Sequence, residues 1–214
     1  MTMPQQLPAP LIADTRFWDK IARKYAGSKI RDADGYERTL SRTADFLEPG
    51  HDVLELGCGT GSTAPRLAPL TASYLATDLS ANMIKIAAEK LAAGPSPNLT
   101  FETATAEDLL QRPARYDAIL GFNYLHLVGN VENTLASIAG LLIAKTPCVK
   151  DMNPLVRLVI PIMRFIGKAP RVSIFSAAEL ERAVAAAGFR TEVNERHASK
   201  GKDVRPFMVA RRIG

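Results

Sequence analysis

The sequence predicts an α/β fold, a mostly parallel sheet covered by helices on both faces. Three observations predict it. Beyond residue 50, short apolar runs suited to strands alternate with segments of helical period. The first of those runs ends in a turn with three glycines at alternate positions, where a strand meets a helix. Finally, a chain of 214 residues, 47% apolar and 23% charged, can bury a core without a disulfide or metal staple.

The elements follow in order. Residues 1–14 contain three early prolines and are expected to be a loose tail. Residues 15–48 carry apolar residues at helical spacing, interrupted by Gly27 and Gly35, and form two or three short helices capping the domain. Strands are expected at Val53–Gly57, Ser73–Asp78, Leu99–Ala104, Tyr116–Gly121, Leu141–Thr146, Phe189–Arg196 and Phe207–Arg212. Between them lie helices over Thr60–Leu67, from the N-cap Ser80 to Ala93, and over Val131–Ala139. A fourth opens at the capping box Ser176–Glu179 and closes at Gly188. No internal repeat or second domain is evident.

The 27 basic and 22 acidic residues leave a charge of +5, spread without a long basic run, so nucleic acid is not an expected partner. Two cysteines, Cys58 and Cys148, and three histidines supply neither a disulfide framework nor a metal-ligand cluster. The N-terminus lacks the pattern of a secretory signal. The most apolar stretch, Leu155–Ile166, is broken by Arg157, Pro161 and Arg164, so a cytoplasmic location is expected.

The informative segment is Val53-Leu54-Glu55-Leu56-Gly57-Cys58-Gly59-Thr60-Gly61-Ser62. Glycines at a strand-to-helix turn let a ligand approach the backbone, and Asp78, closing the next strand, is spaced to accept both hydroxyls of a ribose. A dinucleotide fingerprint would need glycine or alanine where Ser62 stands. Glu55, beneath the turn, places a negative charge that repels a pyrophosphate and favours a cationic ligand. S-adenosyl-L-methionine, with an ammonium, a sulfonium and no phosphate, meets that requirement. NAD and FAD do not.

Glu55–Gly61 and Asp78-Leu79-Ser80-Ala81-Asn82-Met83 together match the E-x-G-x-G-x-G and D-x-S-x-x-M patterns of a known group. From about Phe17 to Arg212 the chain resembles the class I S-adenosylmethionine-dependent methyltransferases, and among them the small-molecule group that includes quinone C-methyltransferases. The resemblance implies a Rossmann-like, doubly wound sheet of seven strands, six parallel and the last antiparallel. It implies that Gly57, Gly59 and Gly61 line the methionine side of the cofactor, with Glu55 and Cys58 in the same motif. Asp78 would hold the ribose diol, and Leu79 and Met83 would flank adenine. Ala106 and Glu107 would lie near adenine, Phe122 and Asn123 near the transferred methyl, and Tyr25 would close over the cofactor. Thr105 stands where the family places an aspartate on the adenine amino group, and the helix before the fifth strand is shortened to Gly140. These two departures leave room for a non-catalytic cofactor-binding module. Nucleic-acid methylation is a lesser alternative, since Gly121-Phe122-Asn123-Tyr124 is not the Asn/Asp-Pro-Pro-Tyr/Phe motif of amino-group enzymes.

Three further features have two readings each. His126 is a general base or, more simply, a histidine that holds its loop. Cys148 is a nucleophile or a small buried residue. Residues 150–171 form a substrate lid whose apolar side covers an apolar small-molecule acceptor. Alternatively, Arg157, Arg164, Lys168 and Arg171 form a basic stripe for peripheral membrane contact over 155–171.

Overall fold

The computed structural model describes residues 9–94, 96–110, 112, 115–136, 138, 140–201 and 203–213, with backbone alone at 9, 10, 107, 110 and 136. Helices α1 (Ala9–Ala26) and α2 (Ala33–Ala44) precede β1 (Asp52–Leu56), and the chain then alternates. It runs through α3 (Ala64–Leu67), β2 (Ser73–Asp78), α4 (Ala81–Ala92), β3 (Leu99–Thr103), α5 (Ala106–Leu110) and β4 (Ala118–Phe122). It continues with α6 (Val131–Ala136), β5 (Leu141–Lys145), α7 (Pro154–Phe165), α8 (Ala177–Ala186), β6 (Phe189–Glu195) and β7 (Phe207–Arg212).

The sheet order is β3-β2-β1-β4-β5-β7-β6. β7 pairs antiparallel with both β5 and β6, so six strands share one direction and only the last opposes them. The order reverses at β1, where β1 pairs parallel with both β2 and β4. At that switch point the strand ends diverge and leave a crevice, the usual ligand site of such sheets. Two apolar cores flank the sheet. One gathers Leu54, Ile119, Leu142 and Leu180, the other Val53, Tyr74, Leu120 and Ile143, so alternate residues of each strand serve opposite faces.

Several boundaries differ from expectation for identifiable reasons. Residues 9–14, expected in the loose tail, are the first turns of α1. Pro10 falls in the first turn, where its missing N–H costs no helical bond. Residues 1–8 lie outside the described residues. Gly35 does not interrupt a helix. It sits in the first turn of α2, its N–H held by the Asp32 cap at 3.0 Å, and a side chain there would strike His197 O. The helix expected from Thr60 begins only at Ala64, because Gly61 adopts φ +68, outside the helical region. The short entry into β5 also has a cause. Gly140 is at φ +83, and a Cβ would lie 2.5 Å from Asp117 O, so a longer helix cannot pass through this point.

Candidate active site

A cavity of about 770 Å³ opens at the switch point, above the C-terminal ends of β1, β2 and β4. Its floor is the glycine turn. Gly57, Gly59 and Gly61 have φ of +69, +56 and +68, a run that residues with a Cβ adopt only under strain. Cys58 N–H donates to Thr77 O (2.9 Å), and Lys90 Nζ donates to Thr60 O (2.8 Å), so the turn is tied to β2 and α4.

Asp78 closes β2 beside this floor. Its Oδ2 accepts Gly59 N–H at 3.0 Å and its Oδ1 accepts Ser80 N–H at 2.9 Å. Burial pushes its pKa above the usual carboxylate value, and these two amides oppose that shift. Each oxygen keeps a lone pair for a further donor. Ser80 caps α4 as expected, accepting Met83 N–H at 3.1 Å. Its hydroxyl donates to Asp19 Oδ1 at 2.6 Å, and Asn82 N–H donates to the same oxygen at 3.1 Å. Asp19 thereby docks α1 onto α4, and α1 turns Leu11, Trp18 and Tyr25, seven residues apart, onto the cavity.

The walls gather Tyr25, Gly57, Gly59, Asp78, Leu79, Met83, Thr105, Ala106, Phe122, Asn123 and His126 from the sequence-predicted set. Cys58 and Gly61 lie in the turn but not on the wall, and the Glu107 side chain lies outside the described residues. Glu55 also differs from expectation. It is buried and absent from the wall, and Tyr74 O–H donates to its Oε2 at 3.0 Å. Burial drives its pKa up to about 7, so near neutrality it is not the fixed charge that discriminates between ligands. Asp78 and Asp108 carry the acidic character of the cavity instead.

This shift has a consequence for stability. An unfolded glutamate titrates near 4.3, so the folded state holds the Glu55 proton more tightly. That stabilisation is complete below about pH 4 and is lost as pH rises to about 7, an effect on the order of 3 kcal/mol. Glu55→Gln is therefore expected to flatten the decline in Tm between pH 4 and 7 and to be the more stable protein at pH 8. Parallel Tm–pH curves for the two proteins would refute the assignment.

Asp108 is a residue that sequence reasoning missed. Thr105 Oγ1 donates to Asp108 Oδ2 (2.7 Å) and accepts Asp108 N–H (3.1 Å), while Thr105 N–H donates to the same Oδ2 (2.9 Å). The threonine hydroxyl is thus spent on capping α5, and a carboxylate three residues later lines the cavity beside it. The Thr-x-x-Asp spacing of a helix cap was the available signal.

His126 is held at its backbone and its ring. Its N–H donates to Thr146 Oγ1 (3.2 Å), its Nδ1 lies 3.1 Å from the same oxygen, and its carbonyl accepts Ser173 N–H (2.7 Å). Burial lowers its pKa to about 4, which makes a neutral ring and a weak base. Cys148 is fully buried and its thiol is pushed up to about 12, as suits a packing residue.

The segment expected as a lid behaves otherwise. No residue of α7 is buried, and none lines the cavity. Nor do the four basic residues share a helical face, since α7 ends at Phe165, ahead of Lys168 and Arg171. Arg171 turns into the cavity, where its Nε lies 3.5 Å from Asp14 Oδ2 and its N–H donates to Asp14 Oδ1 at 2.8 Å. The cover is α1, latched by this pair. α2 lies away from the cavity, where Tyr36 O–H donates to Ser62 O at 3.1 Å behind the glycine turn.

Comparison with known proteins agrees with this geometry. Residues 54–145, from β1 to β5, match a family described as a methyltransferase domain. Residues 54–145 thus carry a methyltransferase domain. A relative from Rhizobium rhizogenes, a ubiquinone biosynthesis O-methyltransferase, is 26% identical over 195 residues, 77% of this chain and 74% of that protein. Among solved structures, the magnesium protoporphyrin IX methyltransferase of Synechocystis PCC 6803 with bound SAH superposes with a TM-score of 0.66. It is 20% identical, over 94% of this chain and 95% of that one. An S-adenosylmethionine-dependent methyltransferase from Mesorhizobium loti gives 0.69 at 19% identity, covering 83% and 98%. These two show that the methyltransferase shares their fold.

Proposed function

We propose that this methyltransferase moves the sulfonium methyl of S-adenosylmethionine to a small, apolar acceptor. The observation that carries the proposal is the single cavity wall on which the glycine turn, Asp78 and an apolar cover from α1 converge. Gly57 and Gly59 offer bare backbone to the methionine moiety and Asp78 accepts the ribose hydroxyls. Leu79, Met83 and Ala106 flank adenine, with Asp108 accepting from its amino group. When bound, the cofactor supplies an electrophilic methyl on a positively charged sulfur.

The chain's own contribution is binding, orientation and exclusion of water. Trp18 and Tyr25 close over the cavity, and Phe122 and Asn123 sit at the end of β4. Leu11, Leu127, Val128 and Pro147 line the remaining volume with apolar surface. Arg171 is neutralised by Asp14, so the walls offer no uncompensated positive charge to a phosphorylated acceptor. The relative named for ubiquinone biosynthesis supports an aromatic or isoprenoid-like acceptor. His126, neutral and fixed by Thr146, acts as a hydrogen-bonding wall rather than a strong base. The carboxylate at Asp108 compensates Thr105, which favours an enzyme over a non-catalytic module.

The test is methyl transfer from isotopically labelled S-adenosylmethionine to a panel of phenols, quinols and phosphorylated sugars. Label is expected in the apolar aromatic compounds and absent from the sugars. Cofactor binding without transfer to any apolar compound would overturn the reading.

A further inference from the structure

α7 leaves the molecule with an apolar face and no cover. Leu155, Leu158, Val159, Ile162 and Phe165 recur at three- and four-residue spacing and share one side of the helix. Leu155, Leu158, Ile162 and Phe165 are 65, 68, 62 and 92% exposed. Ile160 and Met163, on the opposite side, are the half-buried residues of the helix and turn towards the protein. An apolar face of this size marks an interaction site on a folded protein.

Charge identifies the occupant. From Met152 to Ala178 there is no acidic residue, while Arg157, Arg164 and Lys168 accompany the apolar face. Arg157 and Arg164 are seven residues apart and flank it, and among the described residues none of the three forms an ion pair. A second copy seated on this face would bring arginine against arginine with no acid to pair them. Anionic headgroups above an acyl layer would match both the apolar face and its cationic flank. No described helix is long and apolar enough to cross a membrane, so α7 can only lie in the surface plane.

We propose that α7 is an interfacial anchor that lays Leu155, Leu158, Ile162 and Phe165 into an anionic membrane surface, with Arg157 and Arg164 on the headgroups. This is independent of the reaction, because α7 contributes nothing to the cavity.

The test is co-sedimentation of the full chain with vesicles of phosphatidylcholine alone, and of phosphatidylcholine and phosphatidylglycerol in roughly equal parts. Binding is expected to the mixed vesicles and not to the neutral ones. The pair Arg157→Glu and Arg164→Glu should weaken it by roughly thirtyfold or more, and Ile162→Asp with Phe165→Asp should abolish it. Both double variants should keep the wild-type affinity for S-adenosylhomocysteine, which reports a folded cavity. Failure of the wild type to bind mixed vesicles overturns the proposal. So does a wild-type dimer in sedimentation velocity that Ile162→Asp with Phe165→Asp makes monomeric, since the face then belongs to a second copy.

Discussion

Asp78→Ala is expected to weaken S-adenosylhomocysteine binding by about 2 kcal/mol or more, some thirtyfold in Kd. Charge-assisted hydrogen bonds to the ribose diol would be lost, each worth more than a neutral one. The substitution also releases Gly59 N–H and Ser80 N–H, which the carboxylate holds at 3.0 and 2.9 Å. The floor of the cavity is thereby loosened as well. Thr105→Ala, in the same titration, should cost less, because the threonine hydroxyl serves the α5 cap rather than the ligand. Equal affinities of wild type and Asp78→Ala would remove the assignment of the ribose site.

The second large effect separates two glycines of the same turn. At Gly61 a Cβ would lie 2.7 Å from both Ala87 Cβ and Phe101 Cζ, in a backbone at φ +68. Left-handed strain of about 1 kcal/mol adds to overpacking of roughly 1–3 kcal/mol, so Gly61→Ala should lose about 3 kcal/mol. For a chain of this length that is a fall in Tm of roughly 6–12 °C. At Gly59 the nearest atom would be Tyr25 Cε1 at 3.7 Å, an ordinary contact. Gly59→Ala should therefore lose only about 1 kcal/mol of stability, yet bind S-adenosylhomocysteine far more weakly, because its Cβ occupies the cavity floor. Thermal melts and titrations on the two variants check this. Matching losses of stability would show that the turn does not divide the two roles.

Local chemistry explains which parts of the fold were legible in the sequence. β2 and β7 lie where their apolar runs begin and end, and the caps at Ser80 and Ser176 form as their residue types require. Leu56, Gly57, Gly59, Asp78, Leu79 and Met83 on the cavity wall follow from two motifs because each occupies a single strand-to-helix turn. The rest depends on contacts distant in sequence. Asp14 meets Arg171 across 157 positions, a contact that helps hold α1 over the cavity and that no local pattern announces. Periodicity showed that Leu155–Ile166 is amphipathic but could not show which face meets the protein. The motif places Glu55 as a fixed negative charge beneath the turn, whereas its position on β1 puts it against Tyr74 inside the sheet layer.

The most direct measurement of the central claim is a co-crystal structure with S-adenosylhomocysteine. The thioether is expected above Gly57 and Gly59, both ribose hydroxyls on the Asp78 carboxylate, and adenine among Leu79, Met83, Ala106 and Asp108. A complex in which Asp78 binds only Gly59 and Ser80, with the nucleoside bound elsewhere, would contradict it.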